Sequence, residues 1–168
     1  MAGAPGPRTD DPSQREAAAP PALIDLVRAP IDLAAVHAAL VDPACGAACV
    51  FVGSTRDHHE GRPVSGLEYE AYDDMARAEL ARIAAEVREA FADVRRVVLV
   101  HRLGPVPLGE ASVAVGVATA HREAAFAAGR WAIDALKARA PIWKKEGYRD
   151  GADPRWVANC EARAEGGG

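Results

Sequence analysis

The chain has 168 residues, 49% of them hydrophobic and 26% charged, with a formal net charge of −4. That length suits one domain with its own core, and the composition is that of folded, water-soluble proteins rather than disordered or membrane ones. An acidic balance excludes a nucleic-acid protein held by bulk electrostatics, so any basic site has to be local.

Residues 1 to 20 are rich in Pro, Ala, Gly and charge without a hydrophobic period, and are expected as a disordered tail. One domain is expected over 21–158, with a second flexible tail over 159–168. The closing Gly-Gly follows no β-grasp pattern, so it reads as a frayed end and not as the terminus of a ubiquitin-like carrier. Within the domain, "ALIDLVRAP" reads as a first strand and "DLAAVHAALVD" as a short helix beginning near Asp32. "GAACVFVG" (46–53) reads as a buried strand, and "VSGLEYEAY" (64–72) as a strand pairing back on it across the loop "STRDHHEGRP". "DDMARAELARIAAEVREAF" carries Met75, Leu80, Ile83, Val87 and Phe91 on one stripe, the mark of an amphipathic helix. Two β-rich runs, "VRRVVLVHRLG" and "ASVAVGVATA", flank a Pro/Gly turn, and a second, alanine-rich helix follows in "HREAAFAAGRWAIDALKARA". Helices set among consecutive strands predict an α+β domain with a mainly antiparallel or mixed sheet.

Three cysteines form no paired framework, and Cys45 and Cys49 lack the second half of a zinc site, which points to free thiols in a reducing cytoplasm. No apolar run approaches the ~18 residues of a membrane span, and the first twenty residues lack a signal-peptide core. His58 and His59 are adjacent, a poor arrangement for chelating one metal, so no metal site and no cofactor are expected. Neither Ser54 nor Cys49 has the context of a nucleophile.

The cations are more informative. Pro141 ends the second helix near Ala140, and "IWKKEGY" then runs extended, with Ile142, Lys144 and Glu146 on one side and Trp143 and Lys145 on the other. Lys137, from the last helical turn, and Lys144, from the returning strand, can then face one pocket. Arg139 is a weaker candidate, since cations in a last turn also complement the helix dipole. At the start of the same helix, His121 and Arg122 stand where helical amides favour an anion. Arg56 follows a strand end and the flexible Gly53; the loop is not a P-loop, because the GxxxxGK[ST] spacing is missing.

In this order, "FVGSTRDHHEG", "LEYEAYDDMA", "HRLGPVPLGE", "VGVATAHREAAF" and "LKARAPIWKKE" resemble the catalytic (large) subunit of molybdopterin synthase, the MoaE family, over about residues 22–157. The resemblance implies an α/β-hammerhead fold. It implies an enzyme that moves two sulfurs from the C-terminal thiocarboxylate of a small β-grasp carrier onto cyclic pyranopterin monophosphate, forming the molybdopterin dithiolene. It also implies a homodimer within a heterotetramer, with substrate pockets that borrow residues from the other protomer. By motif, Lys137 and Lys144 match the family's catalytic lysines, and Arg56, His121 and Arg122 its substrate-binding residues. One departure concerns a family arginine after "RWV", where this chain has Cys160; Arg155 or Arg163 are the possible substitutes. The chemistry agrees, because a cyclic phosphate and a thiocarboxylate both call for local cations, and crowded cations make a neutral lysine amine more available. Two other readings are a noncatalytic module that docks a ubiquitin-like carrier and a different acyl or phosphoryl transferase; the lysine pair argues against the first, and the missing nucleotide loop against the second.

Overall fold

The computed structural model describes residues 20–59, 61–149 and 155–158. The expected tails at 1–20 and 159–168 therefore lie, but for Pro20, outside the described residues, as do Cys160 and Arg163. In chain order the elements are β1 (Leu23–Val27), α1 (Leu33–Ala39), β2 (Ala47–Ser54), β3 (His58–His59), β4 (Arg62–Ala71), α2 (Asp73–Ala90), β5 (Val94–Arg102), β6 (Gly104–Val106), β7 (Ala111–Thr119), α3 (Arg122–Arg139), β8 (Ile142–Tyr148) and β9 (Arg155–Ala158). The class is α+β, as expected, but the strands form two sheets.

The first sheet has the order β1-β5-β7-β2, with β1 parallel to β5 and the other pairs antiparallel. Period-2 alternation divides its residues between two cores. Val97 and Leu99 of β5, with Val113, Val115 and Val117 of β7, meet Leu80, Ile83 and Val87 of α2 and Ala128, Ala132 and Leu136 of α3. Val98, Val100, Ala114 and Ala118 point to the opposite face, where Val36 and Leu40 of α1 cover them. Asp32 starts α1 by accepting from the amides of Ala34 and Ala35. Gly116 makes room for this helix, because a Cβ there would stand 2.6 Å from Leu40 Cδ1.

The second sheet is antiparallel, in the order β3-β4-β8-β9, with β6 paired to β4. Its register sets Tyr69 opposite Lys144 and Leu67 opposite Glu146. Helix α3 ends before Pro141, with Ala140 already extended, and β8 follows at once.

Three expectations need correction. β2 and β4 do not form a hairpin: β2 pairs with β7, and β4 pairs with β8, because the intervening β3 turns the chain into the other sheet. β2 is not buried, since it is the edge of its sheet and leaves Val50, Phe51 and Val52 at 39%, 37% and 37% exposure. Met75 lies outside the stripe of α2, and Ala76 and Ala84 complete the buried face instead. None of the described helices is long and apolar enough to cross a membrane.

His101 is buried in β5, edge-on to Tyr69, and donates from Nδ1 to the Arg102 carbonyl. Burial favours its neutral form and lowers its pKa to about 4. The unfolded chain takes up this proton below pH 6.5, while the folded one resists until about 4, so stability falls as pH drops through that window. Denaturant titrations at pH 7 and pH 4 should show a loss of up to roughly 3 kcal/mol from this residue, and His101→Asn should flatten that part of the profile.

Candidate active site

Residues Cys49 and Phe51 of β2 and Phe126, Ile133 and Lys137 of α3 line a groove of about 630 Å³. Small residues bring the two elements together; a Cβ on Gly129 would sit 3.1 Å from Cys49 Sγ. The walls are apolar, and Phe126 is 67% exposed at the rim. Arg130 and Asp134 form an exposed ion pair on the same edge at 3.3 Å. Lys137, half-buried in the last turn of α3, puts a cation into this groove. Burial pushes the Cys49 thiol up, which leaves it a poor nucleophile.

Lys144 is not among the residues lining this groove. It lies on β8, its side chain 17% exposed, with Nζ 2.9 Å from Oε1 of Glu146. Glu146 is 3% exposed. Its Oε2 accepts from the Tyr148 hydroxyl at 2.6 Å and from His59 Nδ1 at 2.9 Å. Burial opposes the charge on Glu146, but the Tyr148, Lys144 and His59 contacts outweigh it and hold the carboxyl below its usual range. Alternation along β8 foretold that Lys144 and Glu146 share a side. It gave no sign of His59, because a two-residue strand inside a polar loop carries no period.

Arg56 is exposed, and the residues on either side of it are anchored. The Thr55 amide donates to the Glu110 carbonyl, the Thr55 carbonyl accepts from Gly109, and the Asp57 carbonyl accepts from Val64. The turn that holds Thr55 is braced in turn by Arg102, 7% exposed, whose Nη1 donates to Glu110.

His121 and Arg122 lie together at the start of α3. The Thr119 hydroxyl donates to the His121 carbonyl at 2.7 Å, and the imidazole makes no capping bond. Register places this pair far from Arg56. Ala47 pairs with Thr119 and Ser54 with Ala111, so Arg56 and His121 leave opposite ends of the β2–β7 ladder. Eight strand residues separate those ends by roughly 23 Å. Helix α3 runs back along the sheet and carries Lys137 toward the Arg56 end.

Arg139, in the last turn of α3, is directed at α2. Its Nε donates to Glu79 at 2.7 Å, and its Nη2 donates to Glu86 at 2.9 Å, with Nη1 on the other Glu86 oxygen. The Arg139 hydrogen bond holds Glu86 below the usual carboxylate range. This fork joins α3 to α2 through the guanidinium. Among the described residues no group of His, Cys, Asp or Glu is arranged to hold a metal ion.

A family model described as MoaE protein matches residues 26–139. The chain is 46% identical over 139 residues to the molybdopterin synthase catalytic subunit of Drosophila melanogaster, covering 83% of this chain and 38% of that protein. It thus spans less than two-fifths of the length of that relative. Its fold is similar to the crystal structure of molybdopterin synthase from Staphylococcus aureus, with a TM-score of 0.74 and 35% identity over 79% of this chain and 94% of the other. It is similar also to the molybdopterin biosynthesis MoaE protein of Burkholderia ambifaria, with a TM-score of 0.71 and 38% identity over 85% and 94%.

Although most surface ion pairs contribute little, a forked arginine shared by two carboxylates is an exception. Arg139→Gln and Glu86→Gln should each lower the thermal midpoint, and the double variant should lose less than the sum. Melting curves of the four proteins would detect this coupling.

Proposed function

Because the chain belongs to the MoaE family, we propose that it is the catalytic subunit of a molybdopterin synthase. In this reading it transfers sulfur from the thiocarboxylate of a small carrier to cyclic pyranopterin monophosphate. The observation that carries the reading is Lys137 set in an apolar groove between β2 and α3. A Gly-Gly terminus has no side chains to accommodate, so it can lie extended between Phe51 and Phe126 and bring its thiocarboxylate to the lysine. The free thiols Cys45 and Cys49 suit a reducing compartment, and the cytoplasm is the proposed location.

Each transfer makes one carbon–sulfur bond on a pterin carbon in place of a carbon–oxygen bond, whose oxygen leaves as water or stays on the opened phosphate ester. It breaks the acyl–sulfur bond of the carrier, whose acyl carbon ends on a water oxygen. Lys137 is the proposed catalytic group, moving protons in this exchange or holding the acyl group transiently as an amide. Lys144, oriented by Glu146, stabilises the negative charge that develops. Arg56, His121 and Arg122 hold the cyclic phosphate and the pterin.

One protomer cannot gather these groups, because the β2–β7 ladder keeps His121 and Arg122 from Arg56. A second copy resolves this. β2 is an edge strand with exposed Val50, Phe51 and Val52, a surface that favours a partner. Two such edges, antiparallel about a two-fold axis, set the His121 end of each protomer against the Arg56 end of its partner. The proposed assembly is a homodimer with one carrier at each of two composite pockets.

Lys137→Ala should abolish dithiolene formation from the cyclic pterin and thiocarboxylated carrier while folding and carrier binding persist. No product from a folded, carrier-binding wild type would favour a docking module. Mixing tests the shared pocket: Lys137→Ala and His121→Ala/Arg122→Ala proteins should each be inactive, and a refolded equimolar mixture should recover about a quarter of wild-type activity. Absence of recovery would place all the groups within one protomer.

A further inference from the structure

Glu146 is a buried carboxylate with three donors, and they come from different parts of the chain. Lys144 and Tyr148 are its neighbours on β8, whereas His59 is 87 positions away on β3. An ionised carboxylate only accepts, so the 2.9 Å contact puts the His59 proton on Nδ1. β3 pairs with the start of β4, His59 opposite Arg62, and the Arg62 guanidinium lies 3.8 Å from the centre of the Tyr148 ring. The loop between β2 and β3 is the one that carries Arg56. Its backbone is held to the Gly109–Glu110 turn at Thr55 and to Val64 at Asp57; Val64 itself pairs with Tyr148, so the backbone of the loop reaches β8 only through β4.

We propose that His59 is a positioning residue for Lys144: its Nδ1–H shares Glu146 with the lysine and ties the Arg56 loop to the strand that carries Lys144. This rests on the reading of Lys144 and Arg56 as site residues. The Lys144 ammonium occupies Oε1, so the orientation of the carboxylate decides where that ammonium stands. Oε2 is held from one direction by Tyr148, on the same strand, and from another by His59, across the sheet. A carboxylate held at both oxygens by three donors has no freedom to rotate about its last torsion. Without His59 it keeps only partners from its own strand, and the Arg56 loop loses its side-chain link to β8. No local pattern in the loop sequence pairs His59 with a residue 87 positions away.

The test compares wild type, His59→Leu, which removes the donor, and His59→Asn, which keeps an N–H near the place of Nδ1. Steady-state dithiolene formation and carrier binding are measured on the full chain. His59→Leu should lower kcat about tenfold, as a displaced catalytic group does, with carrier affinity unchanged, and His59→Asn should restore most of the rate. Full kcat in His59→Leu overturns the proposal. So does a loss of carrier affinity that parallels the loss of rate, or a failure of Asn to restore it, since these mark a structural defect. If wild type makes no product, the sulfur-transfer reading fails, and the tether is judged by amide hydrogen exchange over residues 55–64. Faster exchange in His59→Leu, reversed in His59→Asn, upholds the tether; equal exchange in all three proteins overturns it. Should His59→Leu fail to fold, His59→Ala is read on the same scales.

Discussion

Strand β7 is hydrogen-bonded along both edges and covered on both faces, and the rest of the molecule is arranged around that burial. Its sequence "ASVAVGVAT" alternates valines with alanines and a glycine. The valines face α2 and α3, and the small residues face α1, which lies close enough for Leu40 to fill the space above Gly116. With β5 on one side, the other edge takes β2, which has no further strand beyond it among the described residues. Two functional consequences follow. A groove opens between β2 and α3, and the length of the β2–β7 ladder keeps Arg56 apart from His121 and Arg122 within one protomer.

The cations of this acidic protein are sorted by the carboxylates they meet. Arg139 and Lys137 sit in the same helical turn with similar local propensity. Arg139 faces Glu79 and Glu86 on α2 and becomes a clamp between helices, whereas Lys137 faces the groove. Lys144 meets Glu146, a carboxylate too buried to be left unpaired, and the Tyr148 and His59 donors complete its coordination. Taking one partner from a buried cluster of this kind leaves the others unsatisfied, so its geometry resists small displacements.

Much of this is legible in the sequence. The Asp32 cap, the stop before Pro141 and the alternation along "IWKKEGY" are local signals, set by neighbours within about four residues, and the structure keeps them. Apart from the place of Met75 on α2, the expectations that failed were non-local. "GAACVFVG" is apolar enough for a buried strand, yet whether a strand lies at the centre or the edge of a sheet depends on how many partners the topology supplies. The loop "STRDHHEG" carries no periodic signal, but His59 reaches past β4 to a carboxylate on β8.

The sequence by itself determined the helices and the longer strands, the family, and the residue types able to bind anions and move protons, because periodicity, capping and motif spacing are properties of short segments. Only the tertiary structure decided which of those residues meet. It joined His59 to Glu146 and Lys144, took Arg139 away to α2, and separated Arg56 from His121 by the length of a strand ladder. The physical reason is that pairing register and sheet order are chosen by the burial of the whole core, a sum over contacts distant in the chain that no single segment carries.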